Sequence, residues 1–320
     1  MAIDLRSRIL GAVLGAAVGD AMGHPTEFLS LKSILQKYPP TGVARFELYW
    51  EREGKRFAPY TDDTQMAEIV LATLIEGTEG GWPLDATMIA MAPRVADWRV
   101  NPQGGHRAPG NACMAGARRL GDGVHWSEGG DESAGGCGSV MRAYPFGLLF
   151  HRAPETAVDW AAQHSKLTHR APIAFAACAA MASGVALLTA GSEVAPAVEA
   201  MIRAAEPYDA ATAAMIADAR DRATGGAHPH EVLTHFQGWA AHDAIAAATY
   251  VIMRHPDDPA AAILEGANSD GDSDSIATLA GALLGARCGI EALPADWVQD
   301  VERSDELRAL AERAASALGA

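Results

Sequence analysis

Gly271-Asp272-Ser273-Asp274-Ser275-Ile276-Ala277-Thr278-Leu279-Ala280-Gly281-Ala282-Leu283-Leu284-Gly285-Ala286 joins a polar mouth to an apolar body rich in small residues. From Ile276 onward the apolar residues keep helical spacing, and Ala is the strongest helix former, so the body reads as a helix over 275–288. The mouth holds two carboxylates and a hydroxyl. Asp272 and Asp274 flank a single residue, so an extended turn points both to one side before Ser275 begins the helix. A calcium loop of the EF-hand type would need further ligands and a Glu near the twelfth position. Residues 276–283 are apolar instead, which excludes it.

A distant counterpart, Tyr60-Thr61-Asp62-Asp63-Thr64, opens another helix. Thr and Asp at a helix start also serve as N-caps. A cap needs only one such residue, however, and adjacent carboxylates repel unless something positive neutralises them. Two hydroxyl-plus-diacid clusters in one chain point to one shared site for two hard cations. Oxygen ligands of this kind suit Mg²⁺ or Mn²⁺ rather than zinc.

The rest of the chain reads as all-α. Of 320 residues 49% are apolar but only 6% aromatic, Ala and Gly dominate, and strand-favouring runs of Val, Ile, Tyr and Thr are nearly absent. Helical periodicity covers residues 5–21, 62–75, 85–99, 138–150, 154–165, 172–189, 194–205, 240–254, 256–267, 275–288 and 305–318. Asp85 and Ser304 read as caps, and Pro154, Pro172 and Pro256 as first-turn prolines. The long non-helical stretches, 38–60, 100–110 and 120–136, punctuate the helices without splitting the chain. There is no repeat at a fixed period, so residues 1–320 read as one domain.

A net charge of −15 excludes a general binder of nucleic acid or of anionic membranes. It also means that an anionic ligand must be held by local groups. Cys113, Cys137, Cys178 and Cys288 are scattered without CxxC spacing, so neither a zinc site nor a disulfide framework is expected, and a reducing cytoplasm fits. Arg6 and Arg8 followed by 9–18 resemble a signal peptide, but Gly11, Gly15 and Asp20 interrupt the pattern. Glycines four apart serve close packing of one helix on another, so a first core helix is expected. No other segment has the roughly 20 apolar residues of a membrane span.

Three further segments are candidate ligand cradles. Gly135-Gly136-Cys137-Gly138-Ser139 opens a helix with unobstructed backbone N–H groups, a plausible phosphate seat that matches neither the dinucleotide fingerprint nor the P-loop. Arg107-Ala108-Pro109-Gly110-Asn111 precedes another helix start. Lys166-Leu167-Thr168-His169-Arg170 adds cationic groups. Taken alone, Glu27 in Gly23-His24-Pro25-Thr26-Glu27-Phe28 is an ordinary loop acid, and His24 is unremarkable.

In order along the chain, residues 11–27 (GAVLGAAVGDAMGHPTE), 61–64 (TDDT), 136–142 (GCGSVMR), 165–169 (SKLTH) and 271–275 (GDSDS) resemble the ADP-ribosylglycohydrolase family. The resemblance spans roughly residues 8 to 290. It implies an all-α fold with a binuclear metal site at helix N-termini, and cleavage of the glycosidic bond between ADP-ribose and an acceptor using two Mg²⁺ or Mn²⁺ ions. The implied metal ligands are Thr61, Asp62, Asp63, Asp272, Asp274 and Ser275. Glu27 corresponds to an acid near the metals and the scissile bond. Gly136, Cys137, Gly138, Ser139 and Met141 would hold the diphosphate or its riboses, with Gly110 and His169 nearby. GDSDS, GCGSVMR and RAPG look closer to the ADP-ribosylarginine hydrolases than to the serine-directed branch. Ala108-Pro109 stands where some relatives carry a nucleophilic acid, so no covalent intermediate is expected.

The implied catalytic residues are Asp62 or Asp63 on a water and Glu27 assisting proton transfer, since attack at the anomeric carbon builds oxocarbenium-like charge. The expected partner is an ADP-ribosylated protein, with ADP-ribose as product. The competing expectations are hydrolysis of another ADP-ribosyl linkage, a metal phosphohydrolase, or a non-catalytic ADP-ribose-binding or toxin-immunity protein.

Overall fold

The computed structural model describes residues 3–52 and 54–320. Sixteen α-helices follow one another among the described residues: α1 (Leu5–Gly23), α2 (Leu31–Lys37), α3 (Asp62–Gly80), α4 (Leu84–Val100), α5 (Asn111–Gly121), α6 (Tyr144–Leu149), α7 (Pro154–Ser165), α8 (Pro172–Thr189), α9 (Val194–Ala205), α10 (Ala210–Thr224), α11 (Pro229–His235), α12 (Ala241–Arg254), α13 (Pro259–Ala267), α14 (Ser273–Cys288), α15 (Ala295–Asp300) and α16 (Ser304–Ala317). Short 3₁₀ turns sit at His24–Thr26 and Cys137–Ser139, among others. Strands β1 (Trp50–Arg52) and β2 (Lys55–Phe57) form an antiparallel hairpin with Trp50 opposite Phe57. The all-α expectation holds, with this hairpin set into the long 38–60 connection.

The centre of the fold is the α1–α14 pair, and small residues decide how closely it packs. Along α1, Gly11, Gly15 and Gly19 face Gly285, Gly281 and Ala277 of α14. A Cβ added at Gly15 would lie 2.4 Å from the Gly281 carbonyl oxygen, and one at Gly281 would lie 2.1 Å from that of Gly15. The two backbones are therefore in direct contact, which only residues without a side chain permit. α1 is buried from Ser7 to Gly23 and α14 from Ser273 to Ala286. The first helix is a core helix, as its glycine spacing implies. This contact also sets Gly23, at the end of α1, against Ser273 and Asp274.

Around the pair, α3, α6, α8, α9 and α12 supply much of the remaining core. Pro172–Thr189 is apolar and long enough to cross a membrane by composition alone, which corrects the expectation that no second segment is. Within the fold 78% of it is buried. Its apolarity on all sides is what a central helix needs.

Several boundaries differ from the periodicity. Residues 138–150 hold a 3₁₀ turn and then the short α6, because Pro145 fits only the first turn of a helix. α14 begins at Ser273, so Asp274 and Ser275 lie inside its first turn and Asp272 is the N-cap residue. Asp85 and Ser304 are not caps: Pro83 and Arg303 precede those helices. Asp85 instead accepts a 2.8 Å hydrogen bond from the Trp126 indole. α10, unmarked by the periodicity, buries only Thr212, Ala213, Ile216 and Ala219.

Candidate active site

Asp20, deep in α1, organises the start of α3. Its carboxylate accepts from the backbone N–H groups of Thr61 (2.9 Å) and Thr64 (3.0 Å) and from the Thr64 hydroxyl (2.6 Å). An acid from a neighbouring helix thus satisfies α3's free N–H groups, the work usually done by a cap residue. Thr61 is the N-cap, its hydroxyl accepting from the Asp63 N–H at 3.3 Å. The capping role therefore falls to Asp20 and Thr61, and the carboxylates of Asp62 and Asp63 are left for other work.

That work is shared with α14. The Ser275 hydroxyl donates to Asp63 Oδ2 at 2.9 Å, closing the two remote clusters into one. The Cys137 thiol donates to Asp272 Oδ2 at 2.7 Å, tying the 3₁₀ turn to the same centre. Glu27, Asp62, Asp63, Asp272, Asp274 and Ser275 line one cavity of about 340 Å³ together with Gly110, Gly136, Cys137, Gly138, Met141 and His169. Thr61 and Ser139 are not in its lining. Ser139 is fully buried, and its hydroxyl accepts from Ser165 (2.9 Å) and from the Cys178 thiol.

A larger cavity, about 790 Å³, lies between α3, α4 and α16. Its arginines are already paired, Arg94 with Glu76, Arg303 with Glu68 and Arg313 with Glu79. It brings no cluster of unpaired groups together, so size does not mark the chemistry here.

The electrostatics of the smaller cavity are unusual. Burial pushes the carboxyls of Asp62, Asp63 and Asp274 well above the ordinary carboxylate range, and crowding by neighbouring acids adds to this. Burial likewise raises Asp20, Asp272 and Glu27. Among the described residues the one ion-pair partner of these six carboxyls is His24, whose Nδ1 stands 3.9 Å from Glu27 Oε2. A buried group of acids without a lysine or arginine is costly unless a cation neutralises it. The His24 Nδ1 is itself buried without a hydrogen-bond partner. Oxygen-rich donors, missing positive charge and an orphaned nitrogen all fit divalent cations.

An arginine outside the lining backs the opposite wall. Arg142 is fully buried, donating to the Gly138 carbonyl at 2.7 Å and to the Thr168 hydroxyl at 2.6 Å. Thr168 Oγ1 lies 2.8 Å from His169 Nδ1. The His169 Nε2 lies beside Gly136 and Gly138. Burial, with Arg142 second, holds His169 down to about 3, so the ring is neutral. Arg107 forms no part of the wall: it pairs with Glu302, donates to the Tyr60 carbonyl and stacks on Trp50. Arg170 pairs with Glu132 outside the cavity.

At the cavity mouth Phe28 stacks on Trp239, centroids 5.0 Å apart, though 64% and 40% exposed. Phe28 has φ +64°, which costs a bulky residue about 1–3 kcal/mol. Its N–H donates to the Gly271 carbonyl at 3.0 Å, fixing it to the loop that carries Asp272. Asp20, His24, Phe28, Arg142 and Trp239 all bear on the site; Asp20, His24 and Arg142 lie in the family-like segments 11–27 and 136–142, where nothing in the spacing assigned them a role. Asp20 and Arg142 carried one usable signal, a charge inside an apolar helical pattern.

The comparisons agree with this geometry. The family model described as ADP-ribosylglycohydrolase matches residues 1–320. The chain is 26% identical over 314 residues to the ADP-ribosyl-[dinitrogen reductase] glycohydrolase of Rhodospirillum rubrum, covering 95% of this chain and 93% of that one. It is 28% identical over 309 residues to the ADP-ribosylarginine hydrolase Tri1 of Pseudomonas putida, covering 95% and 77%. A solved structure described as an ADP-ribosylglycohydrolase-related protein complex shares the fold with a TM-score of 0.70 at 24% identity, covering 98% of both chains. With its acidic helix mouths joined in one cleft and its whole length matched, the chain belongs to the ADP-ribosylglycohydrolase family, hydrolases of ADP-ribosyl linkages.

Proposed function

We propose that this hydrolase removes ADP-ribose from arginine side chains of modified proteins, using two Mg²⁺ or Mn²⁺ ions held by Thr61, Asp62, Asp63, Asp272, Asp274 and Ser275. The observation that carries the metal reading is the Ser275–Asp63 hydrogen bond, which joins carboxylates from two helix mouths in a cleft without lysine or arginine. Such cations, when bound, supply Lewis acidity toward ribose hydroxyls and a water.

The protein's own groups divide the remaining work. Asp62 or Asp63 holds the attacking water and takes its proton. Glu27, whose carboxyl burial keeps protonated to higher pH, gives a proton to the departing acceptor. Backbone N–H groups of Gly136 and Gly138 and the His169 Nε2 meet the diphosphate and its ribose, while the Cys137 N–H is taken by the Trp239 carbonyl. Met141 and Gly110 shape that end of the cleft. Ser139 sits one layer back and supports the turn through Ser165.

Arginine is favoured as the acceptor by the mouth of the cleft. Phe28 follows Glu27 directly, so the stacked aromatic pair stands near the acids rather than a diphosphate and a second ribose away. Exposed aromatic faces beside carboxylates suit a planar cation such as a guanidinium. The name of one curated relative, the ADP-ribosylarginine hydrolase, points the same way. We place the reaction in the cytoplasm, in keeping with four free cysteines.

The test is to incubate the protein and Mg²⁺ with peptides carrying arginine-, serine- or nucleobase-linked ADP-ribose and to weigh the products. The expected result is intact ADP-ribose from the arginine adduct, absent with Asp274→Ala. Turnover of another linkage with the arginine adduct untouched contradicts the arginine assignment. Release of AMP or phosphate contradicts the glycosidic reaction itself.

A further inference from the structure

We propose that His24 is a nitrogen ligand of the metal centre, which makes this site favour Mn²⁺ over Mg²⁺. The inference rests on the metal-binding reading above and extends it to a residue outside the oxygen set.

His24 closes α1 and begins the 3₁₀ turn His24–Thr26, with its N–H donating to the Asp20 carbonyl and Pro25 next in line. This sets the imidazole beside Glu27 and Asp274, two acids of the cavity lining, although His24 is not itself in that lining. Donor atoms of His24, Glu27 and Asp274 lie within 4.8 Å of one another. The His24 Nδ1 is shielded from solvent and has no hydrogen-bond partner. Buried polar atoms without partners are rare, and an absent ion is among their ordinary explanations.

The spacing argues against a simple histidine–glutamate pair. A direct hydrogen bond would bring nitrogen and oxygen to roughly 2.7–3.2 Å. The observed Nδ1–Oε2 separation is 3.9 Å. Two ligands bound at about 2.1 Å to one ion stand at most about 4.2 Å apart, so this gap suits a shared cation. Imidazole suits transition metals better than Mg²⁺, with affinity rising from Mn²⁺ onward, so its presence biases the choice of ion away from Mg²⁺.

The experiment loads the full-length, metal-stripped protein with Mn²⁺ alone and records pulsed electron paramagnetic resonance. The expected spectrum carries ¹⁴N modulation from a coordinated imidazole, and His24→Gln abolishes it. His24→Gln should also weaken Mn²⁺ binding at least about tenfold while changing Mg²⁺ binding little. Circular dichroism checks that the variant keeps its helices, and His24→Asn serves as a second variant if it does not. Mn²⁺ bound in an Asp274-dependent manner but without nitrogen modulation overturns the role of His24 and leaves the oxygen site standing. Modulation that persists in His24→Gln, and so comes from another nitrogen, also overturns it. No Mn²⁺ binding at all overturns both this inference and the metal reading beneath it.

Discussion

Each acid of the cleft is placed where it weakens the fold and serves the chemistry. Asp63 is buried against Asp20, Asp62 and Asp272, and its carboxyl is held well above its ordinary value. A carboxyl raised in the folded state contributes stability below its unfolded pKa, near pH 4, and loses it as pH climbs toward the raised value. The metal-free protein should therefore lose stability as pH rises from about 4 toward those raised values. Asp63→Asn keeps an acceptor for Ser275 but removes one charge. Its metal-free thermal midpoint at pH 7 is expected to rise by a few degrees, while turnover falls at least about 10³-fold. A variant that is less stable than the parent without metal, or that retains activity, counts against the assignment. At this scale the acids of TDDT and GDSDS were legible because paired carboxylates at a helix start exceed what capping needs. Asp20 was not. Its role depends on α1 crossing beside α3, and spacing along the chain does not encode that crossing.

Among the elements, the α1–α14 contact positions both halves of the site, since α1 carries Asp20 and leads to Glu27 while α14 opens with Asp274 and Ser275. In an exposed helix Gly→Ala stabilises by up to about 1 kcal/mol through propensity. At Gly15 the sign should reverse, because the new methyl would fall 2.4 Å from a backbone carbonyl that cannot rotate away. Gly15→Ala is expected to destabilise by about 1–3 kcal/mol. Gly121→Ala in α5, where the methyl would meet only Ala96 at 3.6 Å, should be neutral or stabilising. Urea titration of the two variants reads this directly, and equal effects would mean that the backbones are not in contact. Strong apolar periodicity made most helices legible. α10 escaped because its buried stripe is almost all Ala and Thr, and the hairpin at Trp50–Phe57 because three-residue strands carry no period. The 138–150 segment was misjudged because apolar content was followed past a proline that fits only the first turn of a helix, here the short α6.

Over the whole molecule, a chain of net charge −15 must hold a substrate with two phosphates. The fold meets this by concentrating its least compensated acids in one cleft. There, bound cations would replace repulsion by attraction, and the neutral His169 and backbone N–H groups form the opposite wall. Length and composition were enough for an all-α architecture, and the ordered motifs were enough for the family. Neither could say that Ser139 lies behind the cleft or that Phe28 and Trp239 stand at its mouth, because both depend on how loops fold over the finished core. The central claim is that two helix mouths, separated by more than 200 residues, build one binuclear centre. Anomalous diffraction from a crystal grown with Mn²⁺ and ADP-ribose tests it most directly. The account predicts two manganese peaks between the N-termini of α3 and α14, within reach of Asp62, Asp63, Asp272 and Asp274, with the ribose beside them. A single peak elsewhere, or ADP-ribose bound with no metal between those helices, would contradict it.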